Sequence, residues 1–174
     1  IDGNKLICLV GGAGSVAVAF DKHTGKELWR SLSAPHPGYC PPKIITAGGK
    51  RQLLIWHPQS LNSLDPETGK LYWSEKLEPQ YGMSCAGPQQ SGDYLYVSAI
   101  GKCAALFKLD QTKPAAEIVW EGKPNTAVYC SNSTPQIDGT IAGGGTIYGA
   151  DCEVGCLRAV KLAHPFYKRH FRTH

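Results

Sequence analysis

The chain has 174 residues, 42% of them hydrophobic and 18% charged, and a formal net charge of +4. That length suffices to bury the core of about one domain, and its glycines (20) and prolines (12) mark it as turn-rich without being low in complexity. The basic excess gathers at Lys168, Arg169 and Arg172 while the signs mix elsewhere, so the body carries no nucleic-acid footprint, and no apolar run approaches the roughly 18 residues of a membrane span.

Ile1-Asp-Gly-Asn-Lys5 opens the chain as a turn rather than as a signal peptide, and the expectation is a fragment or processed piece of something longer. Residues 4–10 read as a strand, and the alternating run Val16–Phe20 as the next. Asp21-Lys-His-Thr-Gly-Lys26 then supplies a tight turn: the Asp21 carboxylate bonds backbone N–H groups ahead of it, Thr24 supports it, and Gly25 tolerates positive φ. The chain returns through Glu27-Leu-Trp29, which places an indole on an outer strand to cover the seam with the next unit.

The same unit recurs 44 positions on as Asp65-Pro-Glu-Thr-Gly-Lys-Leu-Tyr-Trp73, with Thr68 and Gly69 in the matching places. A degraded third copy has Asp110, 45 positions further, and closes on Trp120. Leu53–Trp56, Tyr94–Val97 and Ala104–Phe107 are further strand candidates, and Cys40, Cys85 and Cys130 keep a 45-residue beat. Self-similarity at that period with four strands per unit and no helical periodicity is the arithmetic of an all-β propeller built from four-stranded antiparallel blades. Blades are expected at about 1–31, 32–76, 77–122 and 123–162, roughly three and a half in all. A basic, histidine-containing tail over 163–174 replaces the fourth turn and its tryptophan strand, and Ala142–Gly145 looks like an insertion in a hairpin. Three and a half blades leave open edges that invite pairing. The rest of the ring is therefore expected from further blades of the same polypeptide, a second copy or another protein.

Asp-x-x-Thr-Gly-Lys-x-x-Trp resembles the repeat signature of propellers of the pyrroloquinoline-quinone (PQQ) type, the quinoprotein alcohol dehydrogenase-like superfamily. Gly38-Tyr-Cys-Pro-Pro42, Gly92–Val97, Lys113–Trp120 and Ile147–Asp151 are similar to secreted PQQ-repeat proteins of planctomycete-type bacteria. The resemblance covers residues 1–162. In an active quinoprotein it would imply a quinone held over a Trp, an ion bound by Glu and Asn, an Asp base and, in many members, a disulfide of adjacent cysteines. No Cys-Cys dipeptide occurs here, and Asp21 and Asp65 read as turn caps. No catalytic residue, cofactor or metal is therefore assigned.

Seven cysteines tilt the compartment towards an oxidising one, and an odd count leaves a thiol unpaired or shared between chains. Cys40, Cys85 and Cys130 are expected at one level around the channel mouth, as packed thiols or a thiolate cluster, too far apart for a disulfide. Cys152 and Cys156 flank a short hairpin loop and suit a disulfide, while Cys8 and Cys103 pack within strands. Tyr39, Tyr81 and Tyr129, with His57, Met83 and Asn132, form the expected rim, suited to a peptide or glycan and equally to blade packing. Asn132-Ser-Thr134 fits a glycosylation sequon of little weight in a bacterial protein. His164, His170 and His174 belong to a solvated tail or to a metal or anion contact.

The resulting expectation is a non-catalytic, extracytoplasmic scaffold for protein, peptide or glycan binding or for assembly. By fold it resembles the propeller lipoproteins that help insert outer-membrane proteins. The rival expectations are a piece of a PQQ-dependent dehydrogenase and a self-assembling ring or filament protein.

Overall fold

The computed structural model describes residues 1–123, 127–129 and 134–161 and the backbone of 170–171. Among them the regular structure is β-sheet apart from one 3₁₀ turn at Gln80–Gly82. The first sheet holds β1 (Lys5–Leu9), β2 (Ala17–Asp21) and β3 (Glu27–Ser31). The second holds β4 (Lys43–Ala47), β5 (Lys50–His57), β6 (Ser60–Leu64) and β7 (Leu71–Lys76). The third holds β8 (Gln89–Ser91), β9 (Tyr94–Ala99), β10 (Cys103–Leu109) and β11 (Ala116–Glu121), and the fourth β12 (Gln136–Asp138), β13 (Thr146–Asp151), β14 (Cys156–Lys161) and β15 (His170–Phe171). Each sheet is an antiparallel meander in chain order, and together they make a partial β-propeller.

The first sheet begins with what is the second strand elsewhere. Asp2 bridges Lys5 as Ala47 pairs with Lys50 across the β4–β5 turn, so Ile1 and Asp2 stand where β4 ends in the neighbouring sheet. In the fourth sheet the backbone of 170–171 pairs with Ala159 and Val160 as a fourth strand, although the segment carries neither the signature turn nor its tryptophan. Ala142–Gly145 lies in the β12–β13 hairpin, as expected of an insertion.

The signature Asp residues all act as turn caps. Asp21 Oδ1 accepts from His23 N at 2.9 Å and from Thr24 N at 2.8 Å, while Gly25 N donates to Asp21 O at 2.8 Å. Asp65 Oδ1 accepts from Glu67 N, and Gly69 N donates to Asp65 O, both at 2.8 Å. The third copy keeps the carboxylate bonds, to Thr112 N at 2.7 Å and Lys113 N at 3.2 Å. It lacks the glycine bond because the residue four after Asp110 is Pro114, which has no N–H.

One residue ahead of each signature tryptophan the outer strand bulges. Ala19 pairs with Trp29 but Phe20 with Glu27, Ser63 with Trp73 but Leu64 with Leu71, and Leu106 with Trp120 but Phe107 with Ile118. Leu28, Tyr72 and Val119 are thus the extra residues, and the shift sets the indole facing inward.

Three buried clusters fill the seams between successive sheets. Val16, Ala17, Ala19, Trp29, Leu53, Ile55 and Leu64 join the first two sheets. Trp56, Trp73, Leu95, Val97 and Phe107 join the second and third, and Tyr96, Leu106, Val128, Tyr129 and Ile147 the third and fourth. The core is therefore a stack of sheet-on-sheet layers rather than one centre.

Candidate binding face

Meander topology sends the second-to-third-strand hairpins and the segments between sheets to the same face. The contacts agree: Leu77 N donates to Gln59 O at 3.2 Å, Gln80 N to Ile100 O at 3.1 Å, Gly101 N to Glu153 Oε1 at 2.8 Å and Cys152 N to Tyr129 O at 2.8 Å. The opposite face carries the Asp turns and the first-to-second-strand hairpins, the latter linked by Gln90 Nε2 to Thr46 O at 2.9 Å and Ile141 N to Ser91 Oγ at 3.2 Å.

On the first of these faces two tyrosines stand clear of the body, Tyr39 at 69% and Tyr81 at 78% exposed. Their backbones are held closely. Tyr39 follows Gly38 (φ 81°), where a Cβ would come within 2.8 Å of Trp56 O, so only glycine permits that approach. Tyr81 lies in the 3₁₀ turn and takes φ 58°, ψ 15°, a left-handed conformation that costs a non-glycine residue of order 1 kcal/mol. Its turn is closed by Gly82 N to Pro79 O and Met83 N to Gln80 O, both at 3.1 Å. Gly82 rests on the Pro58 ring and Gly101 on Gln80, so neighbouring hairpins hold the turn from two sides.

Two of the other expected rim residues are placed differently. His57 is buried beneath the β5–β6 hairpin: its Nδ1 accepts from Gln59 N at 3.3 Å, its Nε2 lies 3.1 Å from Ser60 Oγ, and burial lowers its pKa. Tyr129 is also buried, because the segment entering the fourth sheet folds against Tyr96 and Ala104. Tyr129 Oη donates to Lys123 O at 2.7 Å. Burial and the nearby Asp151 and Glu153 carboxylates push that phenol up to about 12. Neither side chain is offered to a partner. Met83 is half-buried, and Asn132 and Cys130 lie outside the described residues, as do His164 and His174.

The cysteines separate in the same way. Cys40 and Cys103 are buried, and burial raises both thiols to about 12. Cys156 carries a free thiol, and the pairing expected with Cys152 is not made. The register explains this: Cys156 faces Asp151 across the hairpin, and Cys152 begins a four-residue turn. That turn was not foreseen. Gly155 N donates to Asp151 O and Glu153 N to Asp151 Oδ1, both at 2.9 Å, which repeats the signature turn in a different hairpin. The readable signal was an Asp with a Gly four residues on. The buried Asp151 is also paired with Arg158, 3.2 Å from its Oδ2.

A quinone and its ion do not fit the residues described. Asp138 is the one carboxylate among the first strands β4, β8 and β12, and it is exposed. Among the described residues no three His, Cys, Asp or Glu side chains stand together as metal ligands.

Comparison with known proteins places these features. A family model described as outer membrane protein assembly factor BamB matches residues 12–159. The chain belongs to that family. Among solved structures it is similar to BamB from Moraxella catarrhalis, with a TM-score of 0.61 and 16% identity over 93% of this chain. That likeness establishes the propeller fold, and the chain spans 44% of the length of that structure. No curated protein matches. No helix among the described residues is long and apolar enough to cross a membrane.

Proposed function

We propose that this chain is part of a non-catalytic, extracytoplasmic propeller scaffold that binds protein segments on the face carrying Tyr39 and Tyr81. The observation that carries the reading is the pair of exposed tyrosines on clamped backbone, one of them held in a strained conformation. Strain of this kind persists where the surrounding structure enforces it, and it concentrates at ligand clamps. Tyrosine supplies a large, stiff contact surface with a polar tip, the chemistry favoured at protein interfaces. Family membership supports the class of partner, since the family is described by an outer-membrane assembly factor.

The test is fluorescence anisotropy with labelled extended peptides that copy membrane strands of an outer-membrane β-barrel. Replacing both tyrosines (Tyr39→Ala with Tyr81→Ala) is expected to weaken binding about tenfold or more, the scale of interface anchors. Equal binding by both forms sinks the assignment of this face. Oxidation of alcohols or sugars by the chain with added PQQ and Ca²⁺ would instead favour the dehydrogenase reading.

A further inference from the structure

We propose that Cys40 and Cys85 are a redox pair whose disulfide staples the second sheet to the third on the loop face. The two residues stand in equivalent segments, 45 positions apart, each leading into the first strand of its sheet. Pseudo-symmetry alone would keep them a blade's width apart. The structure instead lays the segment around Cys85 along its neighbour. Ser84 Oγ donates to Trp56 O at 3.0 Å, Cys40 Sγ lies 3.6 Å from Ala86 O, and Lys43 Nζ donates to Pro88 O at 2.5 Å. Residues 84, 86 and 88 thus each touch the second sheet, two of them through Cys40 and Lys43, and Cys85 sits between the first two.

The thiols also sense each other. The Cys85 thiolate adds to burial in holding the Cys40 thiol up, with Lys43 acting in the opposite sense. Both are free thiols; Cys40 is 2% exposed and Cys85 half-buried. Cys85 lies between the 3₁₀ turn and β8, outside any strand. Closing an S–S bond of about 2.05 Å there shifts a linking segment and no ladder hydrogen bond.

The chemistry is thiol–disulfide exchange with a small disulfide such as oxidised glutathione. The Cys85 thiolate attacks one glutathione sulfur, forms a mixed disulfide and expels glutathione thiolate. The Cys40 thiol gives its proton to solvent, and its sulfur attacks the Cys85 sulfur and expels the second glutathione. Two protein thiols are oxidised while one disulfide is reduced to two thiols. The less buried Cys85 meets the oxidant and the buried Cys40 resolves it, slowly at neutral pH because little of it is thiolate.

The test uses the full chain, reduced and then equilibrated with oxidised glutathione, alkylated and digested with trypsin without reductant. The expected result is a cross-linked pair of peptides, Ser31–Lys43 with Leu77–Lys102, together with loss of two alkylatable thiols. Oxidation is expected to raise the thermal midpoint by about 5 °C or more, and Cys85→Ser abolishes both the rise and the cross-link while leaving the reduced midpoint unchanged. Alkylation of both cysteines after oxidation, a stable mixed disulfide on Cys85, or its pairing with any other cysteine would overturn the proposal.

Discussion

The seam between the first and second sheets and the seam between the second and third are built from the same repeat, yet they close in opposite ways. In the first, Trp29 lies over the next turn, so close that a Cβ on Gly69 would stand 2.6 Å from its ring, and its Nε1 donates to Pro66 O at 3.2 Å. In the second, the following turn has Pro114 in place of that glycine. Trp73 turns its Nε1 into its own sheet, to Gln52 Oε1 at 2.9 Å, and meets the next sheet through ring contact with Phe107, centroids 6.0 Å apart. The close approach is then made from the other side, where Gly48 of the β4–β5 turn has Lys113 backbone against its Cα. Its counterpart in the first sheet, Gly3, has open space. The signature glycine is therefore a packing device as well as a turn device, and when one sheet loses it the other supplies one.

The largest expected effect follows from Gln52, which is fully buried and serves as the polar centre of the second sheet. It donates to Ala47 O at 2.9 Å and accepts from Ser63 Oγ at 2.7 Å as well as from Trp73. Gln52→Ala leaves three buried partners unsatisfied and a cavity, so a loss of about 4 kcal/mol is expected in denaturant unfolding. Trp73→Phe removes one donor and part of the buried ring volume, at about 2–3 kcal/mol. A double-mutant cycle between the two should show coupling, and additivity would refute the account of this seam.

Next come two matched glycine pairs. Gly25 and Gly69 take φ of 72° and 71° in the same turn, but a Cβ on Gly25 meets nothing within 4 Å. Gly25→Ala is expected to cost only the left-handed strain, about 1 kcal/mol, and Gly69→Ala about 2–4 kcal/mol because the Trp29 ring must also move. Gly3→Ala and Gly48→Ala should differ in the same direction. Equal costs within either pair would mean that these glycines serve the backbone alone.

These pairs also mark how far the sequence could be read. The 44- and 45-residue steps give the sheets, the Asp turns and the inward tryptophans, because each is a local requirement on a few adjacent residues. Packing across a seam is not local. Nothing near residue 113 says that Gly48 must yield to it, and nothing near Tyr129 says that its loop folds inward while those of Tyr39 and Tyr81 do not. The bulges at Leu28, Tyr72 and Val119 were equally hidden, since spacing from Asp to Trp does not reveal which residue leaves the ladder. His57 and Tyr129 are therefore buried rather than offered at the rim for a reason of reach: burial there is decided by the neighbouring sheet.

A smaller effect separates the first seam further. Asp2, Lys5, Arg51 and Glu67 close a ring of alternating charge across it, with Lys5 Nζ 2.8 Å from Glu67 and Arg51 bonded to Asp2. Arg51 and Glu67 are half or more exposed, so Arg51→Met is expected to cost under about 1 kcal/mol, and that difference should shrink in 1 M salt. The second seam has no such ring among the described residues, so its variants should be insensitive to salt.

The smallest effect is the acid response of the turns themselves. The Thr24 backbone and hydroxyl bonds hold the Asp21 carboxyl below its ordinary value, and those of Thr112 do the same for Asp110. At Asp65 burial opposes the shift, but bonds from Glu67, Tyr72 and Thr68 prevail and the pKa is again lowered. A carboxylate with a depressed folded pKa binds fewer protons when folded than when unfolded near its ordinary value of about 4. Its stabilisation is thus complete above about pH 4 and fades as pH falls through the folded value. An Asn in the same place keeps an acceptor oxygen and cannot titrate. The variant with all three changed to Asn should therefore be somewhat less stable than the parent at pH 7, and that gap should narrow as pH falls below about 4, as read from thermal midpoints across the range. The three turns enter this balance together although only one lies under a tryptophan. A variant that kept the parent's full acid slope would show that the carboxylates hold their turns no better charged than neutral.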